Sequence, residues 1–324
     1  MSSHAFRFAI QSYAAGSARE WRDRARKAED LGYSTLHLAD HYIGPGPALA
    51  STNHPVQSVA AIPAMAFAAA ATSTLRIGCR VLCVDYHHPV VLAKELATLD
   101  LLSEGRIEAG LGAGWMASEY DAMGIPFDRA GARIERLAAV VDLLRDSWAE
   151  GELKFEQAGI VASGFEAVPK PVQPAGPPVL LGGGSPKVLR LAGAKADIVS
   201  LNFDNSSGQI GAAGVGSGTA DQTAEKIGWI REGAGDRFDD LELEIGAYFT
   251  AVTDDPGPLL DRYSGAFGIP ADDLARHPHV LIGDAGALVD ELERRRAAYG
   301  ISYVTVPDTA VEAFAPVVAA LTGR

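Results

Sequence analysis

Asp40 and His41 stand together at the end of an apolar run, Ser34 to Ala39. Histidine is the side chain best suited to moving protons near neutral pH. Asp40 could orient it or accept a hydrogen bond from a ligand; the competing reading is a strand-end turn with a solvent-facing histidine. A second candidate is Gly182-Gly183-Gly184-Ser185-Pro186. Its glycines let the backbone turn N–H groups toward one point, Ser185 adds a hydroxyl, and a helix opening at Pro186 adds its positive end. A phosphate group fits there, against the alternative of a tight turn that needs glycine for positive φ. The third candidate is Gly110-Leu111-Gly112-Ala113-Gly114-Trp115. Either a flat ligand lies against this backbone, or the small residues admit a neighbouring helix.

Other chemistry-bearing residues argue for less. His87-His88-Pro89 has no third metal ligand nearby, and Gln11-Ser12-Tyr13 stands where a metallohydrolase barrel carries HxH, so no metal is expected. His88-Pro89 reads as a helix start. Cys79 and Cys83 share one face of a strand and are too far apart for an easy bridge, so packing is their expected role. Arg294-Arg295-Arg296 and the stripe Arg19, Arg22, Arg26 read as solvated helix faces.

The elements that must position these residues alternate regularly. Strands are expected at Phe6–Gln11, Ser34–Ala39, Leu75–Val84, Arg106–Leu111, Val179–Leu181, Asp197–Leu201, Leu241–Val252 and Ser302–Val306. Between and after them, helices are expected over about 17–31, 57–71, 89–103, 129–149, from Ser185-Pro186 onward, and over 221–232, 285–299 and 310–321. Ser17-Ala18-Arg19-Glu20 is a capping box. Residues 150–178 suit a short hairpin or ordered loop, 204–218 a mobile loop, and 256–275 a helical insertion. The strands are short and almost continuously apolar, as when both faces are buried. A single (β/α)8 TIM barrel with insertions, residues 1–324, is the economical solution. A doubly wound sheet would want GxGxxG after the first strand, and Gln11-Ser12-Tyr13-Ala14-Ala15-Gly16 is not that. In a barrel, the loops that carry Asp40-His41, Gly112 and Gly183 all open on the face where chemistry occurs.

Composition narrows the partners. A net charge of −13 over 324 residues disfavours nucleic acid, because an acidic surface repels phosphate backbones. No run reaches the roughly 20 apolar residues of a membrane span, and nothing at the start reads as a secretion signal. Two cysteines fit a reducing, cytoplasmic compartment. The helix over 57–71 is apolar nearly all round, which calls for cover on both sides and predicts a homodimer built on this helix and the next.

Several blocks together resemble the luciferase-like monooxygenase superfamily, and within it the actinobacterial type that uses the deazaflavin coenzyme F420. They are RIGCRVL from 76 to 82, HPVVLAKELATLDLLSEGR from 88 to 106, GLGAGW from 110 to 115, PPVLLGGGSPKVLRLAGAKAD from 177 to 197, and PHVLIGDAGALVDELERRRAAYGISYVTV from 278 to 306. The resemblance covers nearly the whole chain. It implies a barrel with a flavin or deazaflavin across its carboxyl face, the ring resting on a bulge in the third strand that holds a non-prolyl cis peptide, here Arg80–Val81. It implies contacts to the ring edge from Asp40 and His41, a flanking loop of Gly112, Ala113, Gly114 and Trp115, and phosphate binding by Gly183, Gly184 and Ser185. A homodimer is implied as well.

The sequence departs from the F420-dependent sugar-phosphate dehydrogenases of that superfamily at one position. They carry a glutamate, assigned acid chemistry, where this chain has Trp115. That argues against their reaction here and leaves His41 as the candidate proton donor, with Trp115 shaping an apolar pocket. Glu119, one helical turn on, is either a substitute acid or a surface residue. The expected function is hydride transfer between F420 and a small organic substrate. An FMN-dependent monooxygenase and a non-catalytic flavin-binding protein are the alternatives.

Overall fold

The computed structural model describes residues 4–324. Eight parallel strands close into a barrel: β1 Arg7–Gln11, β2 Thr35–Leu38, β3 Arg76–Cys79 resuming at Leu82–Cys83, β4 Ile107–Gly112, β5 Val179–Gly183, β6 Ile198–Leu201, β7 Glu242–Gly246 and β8 Ile301–Pro307. They pair in chain order, and β8 returns to β1 with Phe8 opposite Val304. Nearly every strand residue is buried, which explains the unbroken apolar runs in the sequence.

Local signals set the helix limits. Ser17 caps the first helix by accepting from the Glu20 amide at 3.2 Å, and Glu20 reaches back to the Gly16 amide at 2.7 Å. Asp284 caps Ala285–Tyr299 in the same manner, and Gly300 ends that helix at φ 76°. His88-Pro89 opens Pro89–Leu102 with proline at the first helical position. A hairpin, Glu152–Gln157 with Ile160–Glu166, fills part of the irregular stretch after the fourth helix.

Three expectations are corrected. The seventh strand does not run from Leu241 to Val252. It stops at Gly246, and Phe249–Val252 pairs instead with Val280–Gly283 in a separate two-stranded parallel sheet. The break follows from packing: a Cβ on Gly246 would lie 2.7 Å from Arg80 Nη2, and the Tyr248 hydroxyl turns inward to accept from Arg80. The 204–218 stretch holds a helical turn, Ala212–Gly216, and is tied across to the 42–55 loop. There Ile210 N donates to Thr52 O at 2.9 Å, and Asn53 Nδ2 donates to Ile210 O at 2.8 Å. Arg295 is not solvated. It is buried, and its guanidinium satisfies the carbonyls of Pro278 at 2.6 Å and Val280 at 2.7 Å, beside Glu291.

The barrel interior carries a polar layer near the strand starts. Arg7 bridges Glu242 and Glu108 and lies 3.5 Å from the Tyr303 ring, while the Tyr303 hydroxyl donates to Glu108 at 3.0 Å. Every charge in this layer is paired, as burial requires. It closes the floor and leaves the carboxyl end of the barrel open.

Candidate active site

The site starts from the break in β3. Arg80–Val81 is a cis, non-prolyl peptide between Cys79 and Leu82. The neighbouring strands make room for it with glycine. A Cβ on Gly110 would overlap the Cys79 carbonyl oxygen, and one on Gly112 would overlap Val81 Cγ2. On the other side, a Cβ on Gly182 would sit 3.2 Å from Val81 Cγ1. Val81 is thereby seated between two glycines of β4 and β5, and its surface forms part of a cavity wall. Of the two readings of the glycine loop, the close approach of a helix is found at Gly114, which at φ 72° accommodates the Tyr120 hydroxyl of the following helix, while Gly112 accommodates the bulge.

The Arg80 side chain turns into the barrel. Its Nε donates to Glu244 at 2.9 Å and Ser200 at 3.1 Å, and its Nη1 to Tyr248 at 2.9 Å and Gln11 at 3.3 Å. Burial alone would lower the Arg80 pKa, but Glu244 and the Tyr248 hydroxyl outweigh it, so the guanidinium stays charged. Tyr248 passes the chain on by donating to Asn202 Oδ1 at 2.9 Å.

His41 sits at the rim, three residues past the end of β2 at Leu38. Its Nδ1–H donates to Glu119 Oε2 at 2.6 Å. Glu119 is fully buried on the helix Ala117–Met123 and also accepts from the Tyr42 amide at 2.6 Å and the Tyr86 hydroxyl at 3.1 Å. Burial pushes this carboxyl up; the His41 hydrogen bond, the Tyr42 amide and the Tyr86 hydroxyl together bring its pKa below the ordinary carboxylate value. Glu119 is therefore not a surface residue. Nor does Asp40 orient His41. Asp40 Oδ2 accepts from the Cys83 amide at 2.9 Å and from His87 Nε2 at 2.8 Å, leaving Oδ1 buried without a partner.

Across the cavity, Ser185 begins the helix Pro186–Lys195, with proline at its first position, and the Ser185 side chain makes no capping bond. Gly183 packs against Val188 and Gly184 against the Phe203 carbonyl, so both glycines are required by close approach. The first-turn amides of such a helix have no partners within it.

One cavity of about 840 Å³ joins these features. It is lined by every residue expected from the sequence: Asp40, His41, Arg80, Val81, Gly112, Ala113, Gly114, Trp115, Gly183, Gly184 and Ser185. The sequence reading missed Tyr13, His54, Arg129 and Tyr248, which also line it. His54 lies against His41 with ring centroids 4.1 Å apart and the ring planes tilted by 53°, and Trp115 stands edge-on to His41 at 6.1 Å. Burial first, then the neighbouring His41, lowers the His54 pKa to about 3, so His54 is neutral at physiological pH. These residues lie in loops without periodic pattern, so only folding reveals their convergence. Glu119 had a weak signal, four residues after Trp115 and one helical turn away. Among the described residues, no cluster of three or more His, Cys, Asp or Glu is placed to hold a metal. Cys79 and Cys83 are buried and free, and Cys83 Sγ lies 3.1 Å from the Tyr120 hydroxyl.

Known proteins agree with this architecture. An F420-dependent glucose-6-phosphate dehydrogenase of Kribbella flavida is 26% identical over 92% of this chain and 84% of its own. An uncharacterised Mycobacterium tuberculosis protein is 31% identical over 53% of this chain and 64% of its own, so the match spans just under two thirds of that relative. Among solved structures, the coenzyme F420-dependent tetrahydromethanopterin reductase of Methanopyrus kandleri superposes with a TM-score of 0.74 at 19% identity, over 97% of this chain and 98% of that one. The long-chain alkane monooxygenase LadA superposes with 0.72 at 14% identity, over 98% and 91%. Residues 1–264 match the family described as luciferase-like monooxygenase, and the chain belongs to that family.

Proposed function

We propose that the protein is an F420-dependent oxidoreductase acting on a small organic substrate. The observation that carries this reading is the meeting, in one cavity, of the Val81 wall, the His41–Glu119 pair and the Ser185 helix start. The relatives named for F420 support the choice of coenzyme.

The residues fit a flavin-type ring with an anionic arm. Val81, seated between Gly112 and Gly182, offers an apolar backing. Asp40 Oδ1, buried and unpartnered, suits a donor on a ring edge. Ser185 and the free amides beyond it suit a phosphate. The cavity volume is within the range of cofactor sites. When bound, F420 supplies two-electron hydride transfer. The chain's own work is to hold the ring, exclude water and handle one proton. With Nδ1–H committed to Glu119, His41 presents Nε2, which makes no hydrogen bond to the described residues, as its acceptor. Nε2 takes the proton of a substrate hydroxyl in one direction and returns it in the other. Glu119 fixes the ring plane and stabilises the imidazolium, as the third group of a catalytic triad does.

An FMN-dependent monooxygenase is the second reading, favoured by the family's monooxygenase members of the same fold. A visible-absorption titration separates the two. Saturable F420 binding is expected; tight FMN binding with no F420 binding overturns the proposal.

A further inference from the structure

Most charged groups around the cavity are committed, and this limits what can bind beside His41. No lysine lines it, and its arginines are Arg80, Arg129 and Arg133. Arg80 is buried against Glu244. Arg133 donates to the Ala113 carbonyl at 3.1 Å and lies 3.8 Å from the Phe127 ring centroid. Arg129 stands at the start of Ala130–Trp148, the helix packed beside the one that Ser185 begins; it is exposed and its side chain makes no capping bond. The carboxylates are engaged too: Asp40 with His87, Asp128 with Arg136, and Asp204 with the Ser206 amide.

What surrounds His41 is aromatic. The His54 ring lies tilted against it, Trp115 stands 6.1 Å from both histidine centroids, and Tyr13 meets His54 edge-on at 5.5 Å. His54 stays neutral there and offers an anion nothing. A phosphate dianion placed against these rings would lose its hydration without gaining a charged partner, which is unfavourable. A flat apolar body gains area burial and offset ring contacts instead.

We propose that the substrate is uncharged and planar, with an aromatic or conjugated body held among Tyr13, His41, His54 and Trp115. Sugar phosphates, the substrates named for several relatives, are disfavoured against these rings. This rests on the reading of the cavity as a chamber shared by coenzyme and substrate.

The test uses a pair of near-identical shape and different charge, benzamide and benzoate, with glucose 6-phosphate as a third probe. Each is titrated into the full-length protein, alone and loaded with F420, and read by tryptophan fluorescence. Trp115→Phe assigns the signal among the four tryptophans. Benzamide is expected to bind at least tenfold more tightly than benzoate, with glucose 6-phosphate silent. His54→Arg is expected to bring benzoate to within a few-fold of benzamide. Equal or tighter binding of either anion by the native protein overturns the proposal, as does a benzamide response no larger than that of the anions. F420 binding is read separately from its own visible absorbance. Its failure with benzamide selectivity intact overturns the coenzyme reading and not this one.

Discussion

Glu119 Oε2 holds His41 Nδ1 at 2.6 Å from a fully buried position, so the histidine's tautomer and plane are set by a residue 78 places further along the chain. His41→Ala is expected to lower kcat by about 10²–10⁴-fold, the usual worth of a positioned proton-transfer group. Glu119→Gln keeps an acceptor but loses the charge. It is expected to lower kcat by about tenfold with KM nearly unchanged, since it touches the base and not the substrate. Steady-state kinetics of both variants check this, and a Glu119→Gln effect confined to KM would refute it.

Arg80 and Glu244 form a pair whose side chains are 2% and 0% exposed. Removing one partner strands the other charge. Arg80→Met is therefore expected to destabilise the fold by about 3–5 kcal/mol in urea unfolding, and adding Glu244→Leu to recover most of it. A double variant no more stable than Arg80→Met would show that the pair is not what Glu244 depends on.

The glycines around the bulge rank by what they face. Gly110→Ala drives a methyl into the Cys79 backbone carbonyl, which cannot move away, and is expected to cost about 3 kcal/mol. Gly112→Ala meets only the Val81 side chain. Its expected cost is about 1–2 kcal/mol, with weakened coenzyme binding as Val81 shifts. Thermal unfolding and a coenzyme titration of the two variants check the order, and equal losses would contradict it.

Stability should fall in mild acid through buried histidine. His277 is buried, with Nε2 donating to the Val215 carbonyl at 2.9 Å. Burial chiefly, then nearby Arg295, lowers its pKa from 6.5 to about 4. Between those values the unfolded chain binds a proton that the folded chain refuses, so stability declines as pH drops from about 6.5 toward 4, by up to about 1.4 kcal/mol per pH unit for this group. His54, lowered to about 3, extends the slope in the same direction. His277→Gln is expected to lower Tm at pH 7.5 and to flatten the dependence between pH 6.5 and 4. An unchanged slope would exclude His277 as its source.

The helices Ala61–Ala71 and Pro89–Leu102 leave Phe67 43%, Val91 51% and Leu102 76% exposed. Alternating polar cover is absent from the first of them, so this face is expected to be buried between two copies of the chain. A dimeric mass by light scattering at micromolar concentration is expected, and Phe67→Glu with Val91→Glu should yield monomer. A native monomer at that concentration would end the proposal.

The alternation of short apolar runs with capped helices was enough to specify the barrel, because burial on both faces imposes a pattern that survives in one dimension. Ser17, Asp284 and Pro89 marked helix starts through chemistry contained within a single turn. The chemistry-bearing motifs at 40–41, 112–115 and 183–185 were legible for the same reason: each is local, and a barrel sends all three loops to one face. What each motif contacts was decided by neighbours distant in sequence. Gly112 and Gly182 serve Val81; Asp40 serves Cys83 and His87; His41 is oriented by Glu119 and flanked by His54. The seventh strand ended early because Gly246 and Tyr248 answer to Arg80, more than 160 residues away. Local hydrogen bonds and periodic burial are written into the chain order, whereas side-chain partners across a closed barrel depend on which strands the closure makes adjacent, and only the tertiary structure decides that.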